Sequence, residues 1–170
     1  MNNMNIRNVL HSGDVVRFHN HVGIDKQKMS DHQWGVALIV QHIYPDCSKG
    51  LLMAALTHDA AEYLTGDIPF PTKQANPELG SILRGIERNW EEKNGVDFDL
   101  SQLEHSVLKM ADTLEGMWYC VHQVRLGHIN AKRPFRKWRM FFTSTFSNQQ
   151  DEFPRAFDLL NKIITEMGEL

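Results

Sequence analysis

Apolar residues recur at helical spacing along most of the chain. From Ser30, the run SDHQWGVALIVQHIY places apolar side chains at 36, 37, 39, 40 and 43. Gln33 stands three residues after Ser30, as in a capping box, and together these predict a buried helix over 31–44. The next segment, GLLMAALTHDAAEYL, is rich in Ala and Leu and runs into Thr65-Gly66. It predicts a second helix over 50–64 with a glycine stop. In TGDIPFPTK, Pro69 and Pro71 remove backbone donors and predict an extended loop. A helix over 77–93 follows, with Gly85 as its weak point. Ser101-x-x-Glu104 forms a capping-box pattern that opens a long helix to about Leu126. Two more helices are predicted over 132–146 and 152–167. No segment alternates strictly between apolar and polar residues, so the predicted fold class is all α.

The chain has 170 residues, 42% of them hydrophobic. Neither a repeat nor a Pro/Gly/Ser-rich linker divides it, so one domain over 1–170 is expected, large enough to bury a core without staples. Cys47 and Cys120 cannot make a disulfide framework, which points to a reducing, cytoplasmic setting. The N-terminus lacks a secretory pattern, and no apolar run approaches the roughly 18 residues of a membrane span. A net charge of −3 argues against whole-surface binding to nucleic acid. The unusual number is nine histidines against 18 Lys and Arg, which raises metal binding or proton transfer as roles for some of them.

THDAAEYLTGD brings His58, Asp59, Glu62 and Asp67 into ten positions. On a helix, Glu62 lies four residues after His58 and three after Asp59, so all three would address one side. The apolar residues 51–56 precede them, and burying charge beside hydrocarbon is costly unless a partner or a cation compensates. A solvated acidic helix end with one ordinary histidine is the competing explanation. His32 and Asp112 weigh against it. His32 sits inside the first buried helix, and Asp112 lies in KMADTLEGMW among Met110, Ala111, Leu114 and Met117. Two imidazoles and two carboxylates on three helices suit a transition metal with open positions for water.

The order His32, His58-Asp59, Asp112 resembles the H…HD…D signature of HD-domain metal-dependent phosphohydrolases. HDAAEYLTGDIPFPTK is similar to the HDxxExLTGDxPxPxK stretch of bacterial 5'-deoxynucleotidases. Arg17-Phe18 stands fifteen residues before His32, where that subfamily has Arg-Trp, and Lys109 also fits. The likeness covers about residues 6–126. It implies a compact HD-type helical bundle with a metal site between buried helices. His32, His58, Asp59 and Asp112 would hold a divalent transition metal such as cobalt, manganese or zinc, with a second ion such as magnesium accompanying the phosphates. Glu62 would orient or deprotonate the attacking water, and Asp67 would be a second acid or base. Arg17, Lys73 and Lys109 would face phosphate oxygens. Phe18 replaces the tryptophan thought to fill the place of a ribose 2'-hydroxyl, and Asn20, His21 and the 68–71 loop, with Pro71, would lie towards the base.

Two reactions compete within that resemblance. The compact segment between the His-Asp pair and Asp112 is similar to that of small phage-type dATP triphosphohydrolases, which makes release of triphosphate from a deoxynucleoside triphosphate the first reading. Release of phosphate from a deoxynucleoside monophosphate is the alternative. A different class of answer is a non-catalytic metal- or nucleotide-binding protein, supported by the basic and aromatic stretch KRPFRKWRMFF. That stretch is read more simply as an amphipathic surface helix at a subunit interface, so the expected partners are a small deoxynucleotide and a second copy of the chain, with neither membrane nor nucleic acid.

Overall fold

The computed structural model describes residues 3–170, leaving aside the side chains of Phe70, Pro71 and Gln74. A short helix, α1 (Ile6–Ser12), leads into an antiparallel hairpin of two-residue strands. These are β1 (Val16–Arg17) and β2 (Gln27–Lys28), in a register that sets Arg17 opposite Gln27. Neither α1 nor the hairpin was expected from the sequence pattern, being too short to show a period.

Helix α2 (Met29–Ile43) grows directly out of β2. The expected Ser30–Gln33 capping box does not form, because the helix begins one residue before Ser30. Its first free N–H groups are satisfied by the preceding chain: Met29 donates to the Val15 carbonyl at 2.8 Å and Ser30 to that of Gly13 at 3.1 Å. The segment expected as one helix over 50–64 is broken. Helix α3 (Lys49–Ala55), capped by the Ser48 hydroxyl, stops at Ala55, and a 3-10 turn over Ala60–Tyr63 follows. The segment around Pro69 and Pro71 is also not the extended loop expected, since Phe70–Ala75 forms a short helix, α4. A proline in the first helical turn loses no hydrogen bond, because its N–H would be unpaired there in any case.

The remaining elements follow expectation to within a few residues: α5 (Pro77–Asn94), α6 (Gln102–Arg125), α7 (Lys132–Phe146) and α8 (Pro154–Gly168). At the start of α6 the Ser101–Glu104 capping box is complete, with both reciprocal hydrogen bonds present. The all-α expectation therefore holds, with the two short strands as its only exception among the described residues.

Helix α6 is the axis of the molecule, packed between α2, α7 and α8. Val36 and Val40 of α2, Met110, Leu114 and Met117 of α6, Phe142 of α7 and Ile163 of α8 are fully buried in this core. Each such side chain contributes about 1.5–3 kcal/mol through burial. A smaller cluster of Ala60, Ala61, Trp90 and Val96 anchors the 3-10 turn to α5. That second cluster fixes the turn carrying Glu62 against the rest of the protein. Among the described residues no helix is long and apolar enough to cross a membrane.

Gly85 lies inside α5, where a Cβ would meet no atom within 4 Å. Gly85→Ala removes unfolded-state entropy without a clash and should add about 0.5–1 kcal/mol of stability, read as a rise of a few degrees in the thermal midpoint. A lowered midpoint would contradict the open environment assigned to this position.

Candidate active site

The early end of α3 shapes the site. Thr57 donates its hydroxyl to the Met53 carbonyl at 2.8 Å, and the chain then tightens into three-residue hydrogen bonds, Ala60 to Thr57 at 2.9 Å and Glu62 to Asp59 at 3.0 Å. Residues three apart eclipse one another in this geometry, so Asp59 and Glu62 share a side. The expected helical face carrying His58, Asp59 and Glu62 is thus replaced by a turn. Gly66, at φ +71°, closes it by donating to the Glu62 carbonyl at 2.7 Å.

His32 and His58 meet with ring centroids 5.2 Å apart. The Nδ1 of His58 lies 3.0 Å from the Ala55 carbonyl, and the Nδ1 of His32 bonds to the Glu115 carboxylate. Those partners hold a proton on each Nδ1 and turn both Nε2 atoms inward, where a cation could take the place of a second proton. Both Nε2 atoms are buried and lack a hydrogen-bond partner. An unsatisfied buried polar atom costs about 1–3 kcal/mol, so two of them converging on a carboxylate need explaining. Asp59 Oδ2 lies 3.4 Å from His58 Nε2 and 3.7 Å from His32 Nε2. One ligand atom from each of these three residues fits within 4.8 Å of the others. Two neutral imidazole nitrogens and a carboxylate oxygen suit a divalent transition metal. Asp112 borders this group, with Oδ1 3.3 Å from His32 Nε2, while its Oδ2 accepts from Lys109 at 2.7 Å.

Electrostatics separates the carboxylates. Burial would raise Asp59, but the neighbouring His58, His32 and Arg17 hold it below its ordinary value. Asp112 is likewise penalised by burial, yet Lys109 and the two imidazoles hold it well below the usual carboxylate range. Glu62 goes the other way. Burial, then the charges of Asp59 and Asp67, push it up to about 9, against the opposing pull of Lys73 and Arg17.

The other expected residues are distributed unevenly. Arg17 is nearly buried, donates to Gln27 Oε1 at 3.3 Å and lies 3.6 Å from Glu115 Oε2. Lys73 donates to Glu62 Oε1 at 3.4 Å, and Lys109 is half-exposed beside Asp112. Asp67 is half-buried, close enough to Glu62 to raise its pKa. Asn20 is exposed, and the side chain of Pro71 lies outside the described residues. Phe18 is buried at φ +60°, a conformation that costs a non-glycine residue energy and persists only where its surroundings enforce it. Its ring stacks on Tyr119 at 5.0 Å and meets Trp138 edge-on at 5.8 Å and His21 at 5.4 Å. Trp138 in turn packs on Gly116, where a Cβ would come within 2.6 Å of the indole.

Sequence reasoning missed Glu115, Gln27, Tyr119 and Trp138. Glu115 carried the signal that singled out Asp112, a carboxylate inside an apolar helical stretch. For Tyr119 and Trp138 no local signal existed, because their partner Phe18 is a hundred residues away.

The helical bundle is also the fold of an HD phosphohydrolase of known structure. The HD phosphohydrolase DatZ of cyanophage S-2L, solved with dA and one catalytic Zn2+ ion, superposes with a TM-score of 0.62 at 23% identity, over 94% of this chain and 96% of that one. The chain belongs to the YfbR-like 5'-deoxynucleotidase family, which it matches over residues 13–157. It is 27% identical over 125 residues to the 5'-deoxynucleotidase of Citrobacter koseri, covering 65% of this chain and 63% of that protein, just under two thirds of its length. The 5'-deoxynucleotidase of Vibrio atlanticus is 25% identical over 158 residues, covering 79% and 81%.

Glu62 binds a proton when folded that it releases near its ordinary value of 4.5 when unfolded, so metal-free protein should lose stability as pH rises from there towards about 9. Glu62→Gln removes that dependence. In EDTA its thermal midpoint should exceed that of the wild type by a few degrees at pH 8 and the gap should shrink towards pH 5; parallel curves would refute the assignment.

Proposed function

We propose that this protein is a metal-dependent 5'-deoxynucleotidase that hydrolyses deoxynucleoside monophosphates to deoxynucleoside and orthophosphate. The convergence of two partnerless Nε2 atoms on Asp59, with Glu62 one tight turn away, carries this reading. His32, His58 and Asp59, with Asp112 beside them, would hold a divalent cation, which when bound supplies Lewis acidity and lowers the pKa of a bound water. A cation bound beside Asp59 would offset the burial and negative charge that raise Glu62, leaving its carboxylate free to accept the proton of the attacking water. Water's oxygen forms the new bond to phosphorus as the bond to the 5'-oxygen breaks, and the proton taken up by Glu62 returns to that leaving oxygen, a transfer in which Asp67 would serve as the second acid or base. Arg17, Lys73 and Lys109 balance the charge on the phosphoryl oxygens. Phe18, supported by Tyr119 and Trp138, forms an apolar wall that suits a sugar lacking its 2'-hydroxyl, and the dA held by the cyanophage protein supports a deoxynucleoside as occupant.

The monophosphate is preferred here over the triphosphate that the short inter-motif segment suggested. Family membership supports it, as do the relatives named above. So does the charge of the centre: Arg17, Lys73 and Lys109 face Asp59, Glu62, Asp67, Asp112 and Glu115, a set in which cations are the minority. One divalent cation brings that set to neutrality, so a phosphate dianion adds about two uncompensated negative charges and a triphosphate about twice as many.

Incubating the purified protein with cobalt or manganese and separate deoxynucleoside mono- and triphosphates, then resolving products by ion exchange, tests the reading. Orthophosphate from a monophosphate is expected, with ribonucleotides poorer substrates. Tripolyphosphate would establish the other reaction, and no product would leave a binding protein. Asp59→Asn should lose cobalt and turnover together. Glu62→Gln should keep cobalt and lose about 10²–10⁴-fold in turnover; unchanged turnover would reassign the base.

A further inference from the structure

We infer that Glu115 is a positioning residue that holds the metal-facing imidazole of His32 and the phosphate-facing guanidinium of Arg17 in one fixed arrangement. This inference rests on the proposed function for the roles of those two residues and on the structure for the arrangement itself.

Glu115 is buried on α6, one turn beyond Asp112 and on the opposite side of His32 from the aspartates. Both of its oxygens are engaged. Oε1 accepts from Gln27 Nε2 at 2.7 Å, and Oε2 accepts from His32 Nδ1 and lies 3.6 Å from Arg17 Nη1. Gln27 closes the loop by accepting from Arg17 with its own Oε1. Among the described residues, the donors bonded to or paired with this carboxylate therefore belong to the site or to the strand paired with Arg17. A carboxylate on Nδ1 fixes the tautomer, locks the ring and makes Nε2 a better donor to a cation. The same charge restrains a guanidinium that burial would otherwise penalise.

The backbone is built around this side chain. A Cβ on Gly35 would lie 2.8 Å from Glu115 Cγ, so α2 approaches α6 at a distance that only glycine allows. The three atoms nearest to such a Cβ all belong to Glu115, so any larger residue there must displace the carboxylate that orients His32, which lies one turn earlier on the same helix.

The test is cobalt titration followed by visible absorption, with thermal midpoints in parallel. Glu115→Gln keeps size and shape but sets an amide donor against either Gln27 or His32. It should weaken cobalt binding about 10–100-fold. Gly35→Ala, which leaves every polar group in place, should weaken it in the same direction and change the cobalt spectrum. Under saturating cobalt both should raise KM for a deoxynucleoside monophosphate above the wild-type value, through Arg17. A purely structural role predicts lowered thermal midpoints with the cobalt affinity of the folded protein unchanged, and that result overturns the inference. If the wild type binds cobalt and hydrolyses no deoxynucleotide, the proposed function fails, while a loss of affinity in the two variants still supports the role of Glu115.

Discussion

Two imidazole nitrogens buried without a hydrogen-bond partner, a few ångströms apart and beside a carboxylate, impose a cost that the rest of the fold must offset. Removing them from water without a hydrogen bond destabilises the fold by an amount comparable to a large part of a marginal protein's net stability. The surrounding core has to be good enough to carry that cost. It is: α6 packs on α2, α7 and α8 with Met110, Leu114, Met117 and Phe142 wholly excluded from solvent. His32 belongs to one of these core helices and is itself fully buried, so its ring cannot swing away to find water.

Several irregularities of the backbone are explained by the same demand. The end of α3 at Ala55 aims the His58 Nδ1 at the Ala55 carbonyl and leaves Nε2 facing inward. The hairpin of β1 and β2 brings Arg17 and Gln27 side by side next to Glu115, and its strained residue, Phe18, is held by aromatic contacts with Tyr119 and Trp138. Gly35 and Gly116 let side chains from other elements approach the helices closely at the two sides of the centre. These features sacrifice local regularity to place a few polar and aromatic groups within ångströms of each other, a pattern that recurs where function depends on geometry.

The helices were legible where they were long. α5, α6, α7 and α8 show periodic burial over fifteen residues or more, and the Ser101–Glu104 cap marks the start of α6 in the sequence as in the structure. Short elements were not. A seven-residue helix such as α1 has too few turns to show a period, and proline at the first turn of α4 reads the same whether a loop or a helix follows. The apparent 50–64 helix misled for a different reason: its composition favours helix throughout, but the packing of Ala60 and Ala61 on Trp90 and Val96 outweighs that preference. The capping box at Ser30 failed because the helix already starts at Met29 and the Gly13 carbonyl takes the Ser30 N–H that the box would have served.

The candidate chemistry shows the same division. His32, His58, Asp59 and Asp112 stand out in one dimension because an ionisable residue amid apolar neighbours is anomalous whatever the fold, and its cost follows from the chemistry of the side chain alone. Which nitrogen of each histidine is free, which carboxylate supports which ring, and why Arg17 is aligned with them depend on contacts between residues 80 and more positions apart, as between Gln27 or His32 and Glu115. Such contacts carry no local periodicity. They exist only once the helices have packed, because it is packing that brings Glu115 within hydrogen-bonding reach of His32 and excludes the water that would otherwise have taken its place.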